Sequence, residues 1–179
     1  MRKDLISTVI FFILLIGSAI IYGINGNGDK IFRIILTFVI LIVLIVGYLR
    51  FNMNKVIYNI ILSFVFISIY LGNILNFYSI TFYDKILHFI SGILLYIIGE
   101  IVFYKYIKNE YKIIKLIIPM LFSIAFAGLW EIWEYTTDVF LGFSSQGGLG
   151  DTMKDIICGS LGALFTFFSY YFKKNLIKG

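Results

Sequence analysis

The chain has 179 residues, 60% of them hydrophobic and 19% aromatic, with only 14% charged and a formal net charge of +5. Soluble domains carry roughly a quarter charged residues, so this composition excludes an ordinary soluble domain and points to a membrane. The one cysteine, Cys158, excludes an intrachain disulfide framework and a thiolate metal centre, and no feature suggests a nucleic-acid partner.

Six apolar runs follow one another: residues 5–24, 31–49, 56–77, 86–104, 113–135 and 155–172. Each approaches or exceeds the ~20 residues that a helix needs to cross the hydrocarbon core. The first follows "MRKD" and runs on past "GSA", so it reads as a retained span and not as a cleaved signal peptide. The third continues, less cleanly, to Tyr83. The expected fold is all-α: a polytopic transmembrane helix bundle of about six spans, forming one integral membrane domain over residues 1–179. Between the fifth and sixth spans lies "GFSSQGGLG", Gly142 to Gly150, which suits either a lid or a plain flexible connection.

Six spans place the N-terminus, the second and fourth loops and the C-terminus on one side. Those segments hold 11 of the 15 basic residues, from Arg2 and Lys3 through Lys178. The positive-inside rule then puts both termini in the cytoplasm of a bacterial cell, with the chain a multi-pass protein of its cytoplasmic membrane. Acidic residues divide the other way: Asp29, Asp84, Glu131, Glu134, Asp138, Asp151 and Asp155 fall at or near the outer face, with the lone histidine, His88.

Three stretches carry the outer acids. In "YDKILHF", Asp84 and His88 are four apart and share a helical face. In "GLWEIWEYTTD", Glu131, Glu134 and Asp138 fall within about 60° of one another at about 100° per residue. In "DTMKDIICGSLGA", Asp151 and Asp155 are again four apart. Small residues lie below each group: Ser91 and Gly92; Ala127 and Gly128; Cys158, Gly159 and Gly162. Such residues let helix backbones approach closely in lipid. The expected picture is three helices in contact, with six carboxylates and one imidazole at the outer end of the seam.

Simpler roles exist for some of these residues. Asp84 suits a helix N-cap, and "TMKD", Thr152 to Asp155, fits a capping box. Lys85 and Lys154 read as snorkelling interfacial residues, and Trp130 and Trp133, facing away from the acids, as an interfacial anchor. Capping does not explain Glu131, Glu134 and Asp138, which sit toward the C-terminal end of their span and repel one another there. Charged residues in a span usually mark a pathway, a ligand or a pairing partner. Glu100, toward the cytoplasmic end of the fourth span, reads separately, as a residue snorkelling or pairing near Lys105 and Lys108.

The motifs "DKILHF", "WEIWEY" and "DTMKDIICGSLGALF" resemble the VanZ-like membrane proteins, and more closely the related YjdF-type family. Asp84, Lys85 and His88 match the D-K-x-x-H part of the VanZ-like pattern. Glu131 matches its E-x-x-Q part, with Glu134 in place of Gln. Asp155 and Gly162 match D-x-x-x-N-x-x-G, with Gly159 where Asn is expected. Asp151 is a YjdF-like feature. The resemblance covers roughly Tyr83 to Phe165 and implies a bacterial envelope protein, of a kind associated with glycopeptide-antibiotic resistance.

Carboxylates with one imidazole suit a divalent cation such as Mg²⁺, Mn²⁺ or Zn²⁺. Asp84, His88, Glu131, Glu134, Asp138, Asp151 and Asp155 are the candidate ligands, with His88, Glu131 and Glu134 the candidate catalytic groups. The expected activity is hydrolysis or group transfer on a lipid-linked or phosphorylated envelope substrate. The alternatives are a non-enzymatic protein binding a cation, lipid headgroup or glycopeptide-type ligand, and a cation or proton pathway continued inward by Glu100.

Overall fold

The computed structural model describes residues 5–104, 106–108, 111–142 and 145–176. The described residues are helical apart from short connections, and six helices are long and apolar enough to cross a membrane. The chain forms two compact units, residues 1–81 and 82–179.

In the first unit, α1 (Ile6–Ile24) and α2 (Gly28–Arg50) are joined by a tight turn in which Gly26 takes φ +66°. Asn27 caps α2 by accepting the Lys30 N–H. α3 (Lys55–Val65) starts where Asn54 accepts the Val56 N–H at 2.7 Å. It runs on as a π-helix, Phe66–Ile74, followed by a 3₁₀ turn at Phe77–Ser79. The third span therefore ends at Ile74, three residues short of its apolar run, because Asn76 turns left-handed at φ +67°.

Inside this unit Leu15, Ile34, Leu41, Tyr58 and Ile74 are fully enclosed. Two buried hydroxyl pairs, Thr8 with Tyr58 at 2.5 Å and Ser18 with Tyr70 at 3.0 Å, satisfy polar groups that lipid cannot. Gly72 is packed under the Tyr78 ring, where a Cβ would stand 2.5 Å from a ring carbon.

The second unit is three mutually packed helices: α4 (Tyr83–Phe103), α5 (Ile114–Leu141) and α6 (Leu149–Leu176). The small residues expected at the seam decide how close they come. A Cβ on Gly92 would stand 2.0 Å from the Gly159 carbonyl oxygen, and one on Gly162 would stand 2.0 Å from that of Phe89. Backbone therefore rests on backbone between α4 and α6, and only glycine fits at either position. A Cβ on Gly159 would stand 2.9 Å from the Ala127 methyl of α5. Ser123 of α5 donates to the Gly92 carbonyl at 2.8 Å, tying the third helix into the seam. Gly128 differs from its expected role: nothing lies within 4 Å of where its Cβ would be.

Two helices outrun their apolar runs by six residues at one end. α5 continues past Tyr135 to Leu141, and α6 begins at Leu149, six residues before the apolar run. Glu131 and Glu134 thus lie inside α5 and only Asp138 reaches its last turn, while Asp151 and Asp155 both lie inside α6. The capping roles fall away accordingly. Phe82, at φ +65°, is the N-cap of α4, so Asp84 sits within the first turn, and Thr152 lies inside α6, three residues past its start.

Candidate metal centre

The α4–α6 contact fixes the site, because Asp84, Lys85 and His88 on α4 face Asp151 and Asp155 on α6 directly above the glycine seam. Asp84, His88 and Asp155 each present one ligand atom, and these lie within 4.8 Å of one another. Ligands at about 2.0–2.6 Å from one ion are at most about 4–5 Å apart, so these atoms lie within reach of a single ion.

The arrangement centres on His88 Nε2. It stands 3.4 Å from Asp84 Oδ1, 3.7 Å from Asp155 Oδ1 and 3.9 Å from Glu131 Oε1. Three helices thus bring one carboxylate oxygen each toward the same nitrogen. All three distances exceed the usual N–H···O range of about 2.7–3.2 Å. Spacings of this length suit ligands gathered about an ion better than direct hydrogen bonds.

Glu131 carries the least satisfied group of the set. Its side chain is 4% exposed, and Oε1 has no hydrogen-bond partner among the described residues. A buried carboxylate oxygen left so is costly, and each such group in a native structure calls for an explanation.

Lys85, expected to snorkel, is instead the hub of the cluster. Its ammonium donates to Asp151 Oδ1 and Asp155 Oδ1 at 2.6 Å each and to Asp84 Oδ2 at 3.0 Å. A snorkelling lysine extends its ammonium to water. Here three carboxylates on two helices hold it, at 20% exposure. The one signal for this in the sequence is the D-K-x-x-H motif, in which Lys85 stands between the two α4 candidate ligands. Asp151, 38% exposed, meets Lys85 at the rim and lies outside the ligand group.

The other acids divide. Glu134 accepts a 2.8 Å hydrogen bond from Trp130 Nε1, so that tryptophan serves an acid as well as lying exposed on the helix surface. Asp138 organises the following loop. Its carboxylate accepts the backbone N–H groups of Ser145 and Gln146 at 2.8–3.0 Å. The Gln146 amide in turn donates to the Glu131 carbonyl and the Thr152 hydroxyl, at 3.4 and 3.2 Å. That loop is held against both helices beside the site; residues 143 and 144 lie outside the described residues. Glu100 lies in the last turn of α4, near the Tyr170 side chain of α6, and Lys105 of its expected pairing lies outside the described residues. Between Glu100 and the cluster, α4 and α6 meet backbone to backbone at Gly92 and Gly162.

Comparison with known proteins agrees with this architecture and adds no activity. An uncharacterized protein of Thermotoga maritima is 39% identical over 95 residues, covering 51% of this chain and 50% of that protein. The match thus spans about half the length of each. No solved structure matches. The family comparison names neither the VanZ-like nor the YjdF-type proteins. Residues 5–175, nearly the whole chain, match the family model described as "Predicted membrane protein (DUF2238)", and the chain belongs to that family.

Proposed function

We propose that this protein binds a divalent cation between α4, α5 and α6, through Asp84, His88, Asp155 and Glu131, at the outer face of a bacterial cytoplasmic membrane. The observation that carries the reading is Glu131 Oε1, buried, without a hydrogen-bond partner among the described residues, and 3.9 Å from His88 Nε2. An ion ligated by Asp84, His88 and Asp155 would supply the missing partner. Four carboxylates (Asp84, Glu131, Asp151 and Asp155) against one lysine and one imidazole leave a surplus of negative charge for it to balance.

A cation so placed acts as a Lewis acid or activates water, which suits hydrolysis or group transfer on a phosphorylated or lipid-linked envelope substrate. Glu134, beside the ligand group, is the candidate proton acceptor. The motif resemblance to the VanZ-like proteins is the reason to look for that substrate in the envelope.

The test is elemental analysis of detergent-purified protein equilibrated with Mg²⁺, Mn²⁺ or Zn²⁺ and desalted. About one ion per chain, lost in Glu131→Gln, is the expected result. Native protein that retains no ion would sink the reading. Turnover of an isoprenoid-phosphate and phospholipid panel, abolished by chelation, tests the enzymatic part. Metal binding without turnover across that panel would favour a second reading, a non-enzymatic cation- or headgroup-binding protein. The three carboxylate contacts of Lys85 lend that second reading its support, since a self-paired network can hold helices together without chemistry.

A further inference from the structure

We infer that Lys85 is an exchangeable internal counter-ion: a divalent cation entering the site displaces its ammonium from Asp155, and the freed ammonium then binds a phosphate oxygen beside the ion. The inference rests on the cation-binding reading above and names the ligand class of the same site.

Asp155 Oδ1 is the atom in contention. It accepts from Lys85 Nζ at 2.6 Å and is also one of the oxygens gathered around His88 Nε2, at 3.7 Å. Asp84 is divided in the same way, with Oδ2 on Lys85 at 3.0 Å and Oδ1 toward His88 at 3.4 Å. A divalent ion among these oxygens repels an ammonium placed a few ångströms away, and the flexible lysine stem is the part free to yield. Asp151, at the rim and 38% exposed, remains to hold the ammonium at the mouth of the site.

Two features then favour phosphate at that mouth. An ammonium next to a divalent ion offers a second positive contact to an oxyanion. No side chain caps the N-terminus of α4, which begins two residues before Lys85 and carries the positive end of the helix dipole. The buried Glu131 Oε1, with no hydrogen-bond partner among the described residues and 3.9 Å from His88 Nε2, is independent of both and favours an ion beside it.

The experiment measures acetylation of lysines by acetic anhydride in the purified full chain, read by mass spectrometry, with and without saturating Mn²⁺. Lys85 should react several-fold faster with Mn²⁺, whereas exposed Lys154 should not change. Mn²⁺ affinity of Lys85→Met should be about tenfold tighter than wild type, and Lys85→Arg, which keeps the charge, should gain nothing. Inorganic phosphate at millimolar concentration should slow Lys85 acetylation in the Mn²⁺-loaded protein only. The same protection in nanodiscs of phosphatidic acid, but not phosphatidylcholine, would assign the phosphate to a lipid headgroup; protection by free phosphate alone would assign it to a soluble phosphate.

Mn²⁺-loaded protein in which Lys85 reactivity is unchanged or lower overturns the inference and leaves the cation site standing. Protein that binds no Mn²⁺, wild type and Lys85→Met alike, removes the site and the inference together. Counter-ion exchange without any phosphate protection overturns the assigned ligand class. If Lys85→Met fails to fold, the wild-type acetylation measurement decides alone.

Discussion

Asp155 Oδ1 on α6 is shared between two α4 side chains, accepting from Lys85 Nζ at 2.6 Å while standing 3.7 Å from His88 Nε2. The carboxylate itself is almost fully buried, at 4% exposure. Asp155→Asn should therefore cost both metal content and stability, because it leaves a partly buried ammonium with one fewer counter-charge. A loss on the order of 3 kcal/mol is expected. Asp151→Asn, at the exposed rim, should cost about 1 kcal/mol or less. Thermal unfolding in detergent, followed by intrinsic fluorescence, checks the pair; equal losses would contradict the ranking.

Glu131 should behave in the opposite sense. Its Oε1 is buried without a hydrogen-bond partner among the described residues, a configuration that costs stability when no ion is present. In buffer containing a chelator, Glu131→Gln should unfold at the same or a higher temperature than wild type, by an amount on the order of 1 kcal/mol. With Mn²⁺ restored the order should reverse, since wild type gains stability from the bound ion and the variant does not. A variant less stable than wild type under chelation would show that the oxygen has a structural partner.

The glycine seam predicts a contrast between residues of one type. Gly92→Ala places a methyl 2.0 Å from the Gly159 carbonyl oxygen, which neither backbone can yield to without separating α4 from α6. Overpacking of this kind costs about 1–3 kcal/mol and should also loosen the metal site above it. Gly128→Ala meets nothing within 4 Å and should be neutral or slightly stabilising. Side-by-side melting curves of the two variants settle the comparison.

Asp138 is expected to matter to the loop and not to the ion. Removing its carboxylate in Asp138→Ala frees the Ser145 and Gln146 N–H groups and loosens the connection between α5 and α6. Limited proteolysis between Gly142 and Gly148 should become several-fold faster, with metal content unchanged. A loss of metal equal to that of Glu131→Gln would place Asp138 among the ligands after all.

Orientation is open to a direct check in cells. In a Cys158→Ser background, Asn27→Cys and Gly148→Cys should react with a membrane-impermeant maleimide added to intact cells. Asn54→Cys should react only after permeabilisation. The opposite pattern would invert the topology inferred from the basic residues and move the site to the cytoplasmic face.

Much of this was readable from the chain before any coordinates. The six spans follow from length and hydropathy, because a bilayer demands about 20 apolar residues per crossing and satisfies no loose backbone within it. The pairing of Asp84 with His88, the gathering of acids on three helices, and the small residues at Gly92, Gly159 and Gly162 follow from helical periodicity. Periodicity assigns a residue to a face but not the rotation of that face against its neighbours. Gly92 and Gly128 look alike in sequence, yet one touches backbone and the other touches nothing.

Tertiary packing made the remaining decisions. It drew Lys85 inward, since three carboxylates on two helices converge where one flexible ammonium can reach them all. It sent Asp138 to the loop because α5 runs to Leu141, beyond the apolar run that marks the span. It also left Glu131 Oε1 buried with no hydrogen-bond partner among the described residues, a property of three helices together that no single stretch of sequence contains.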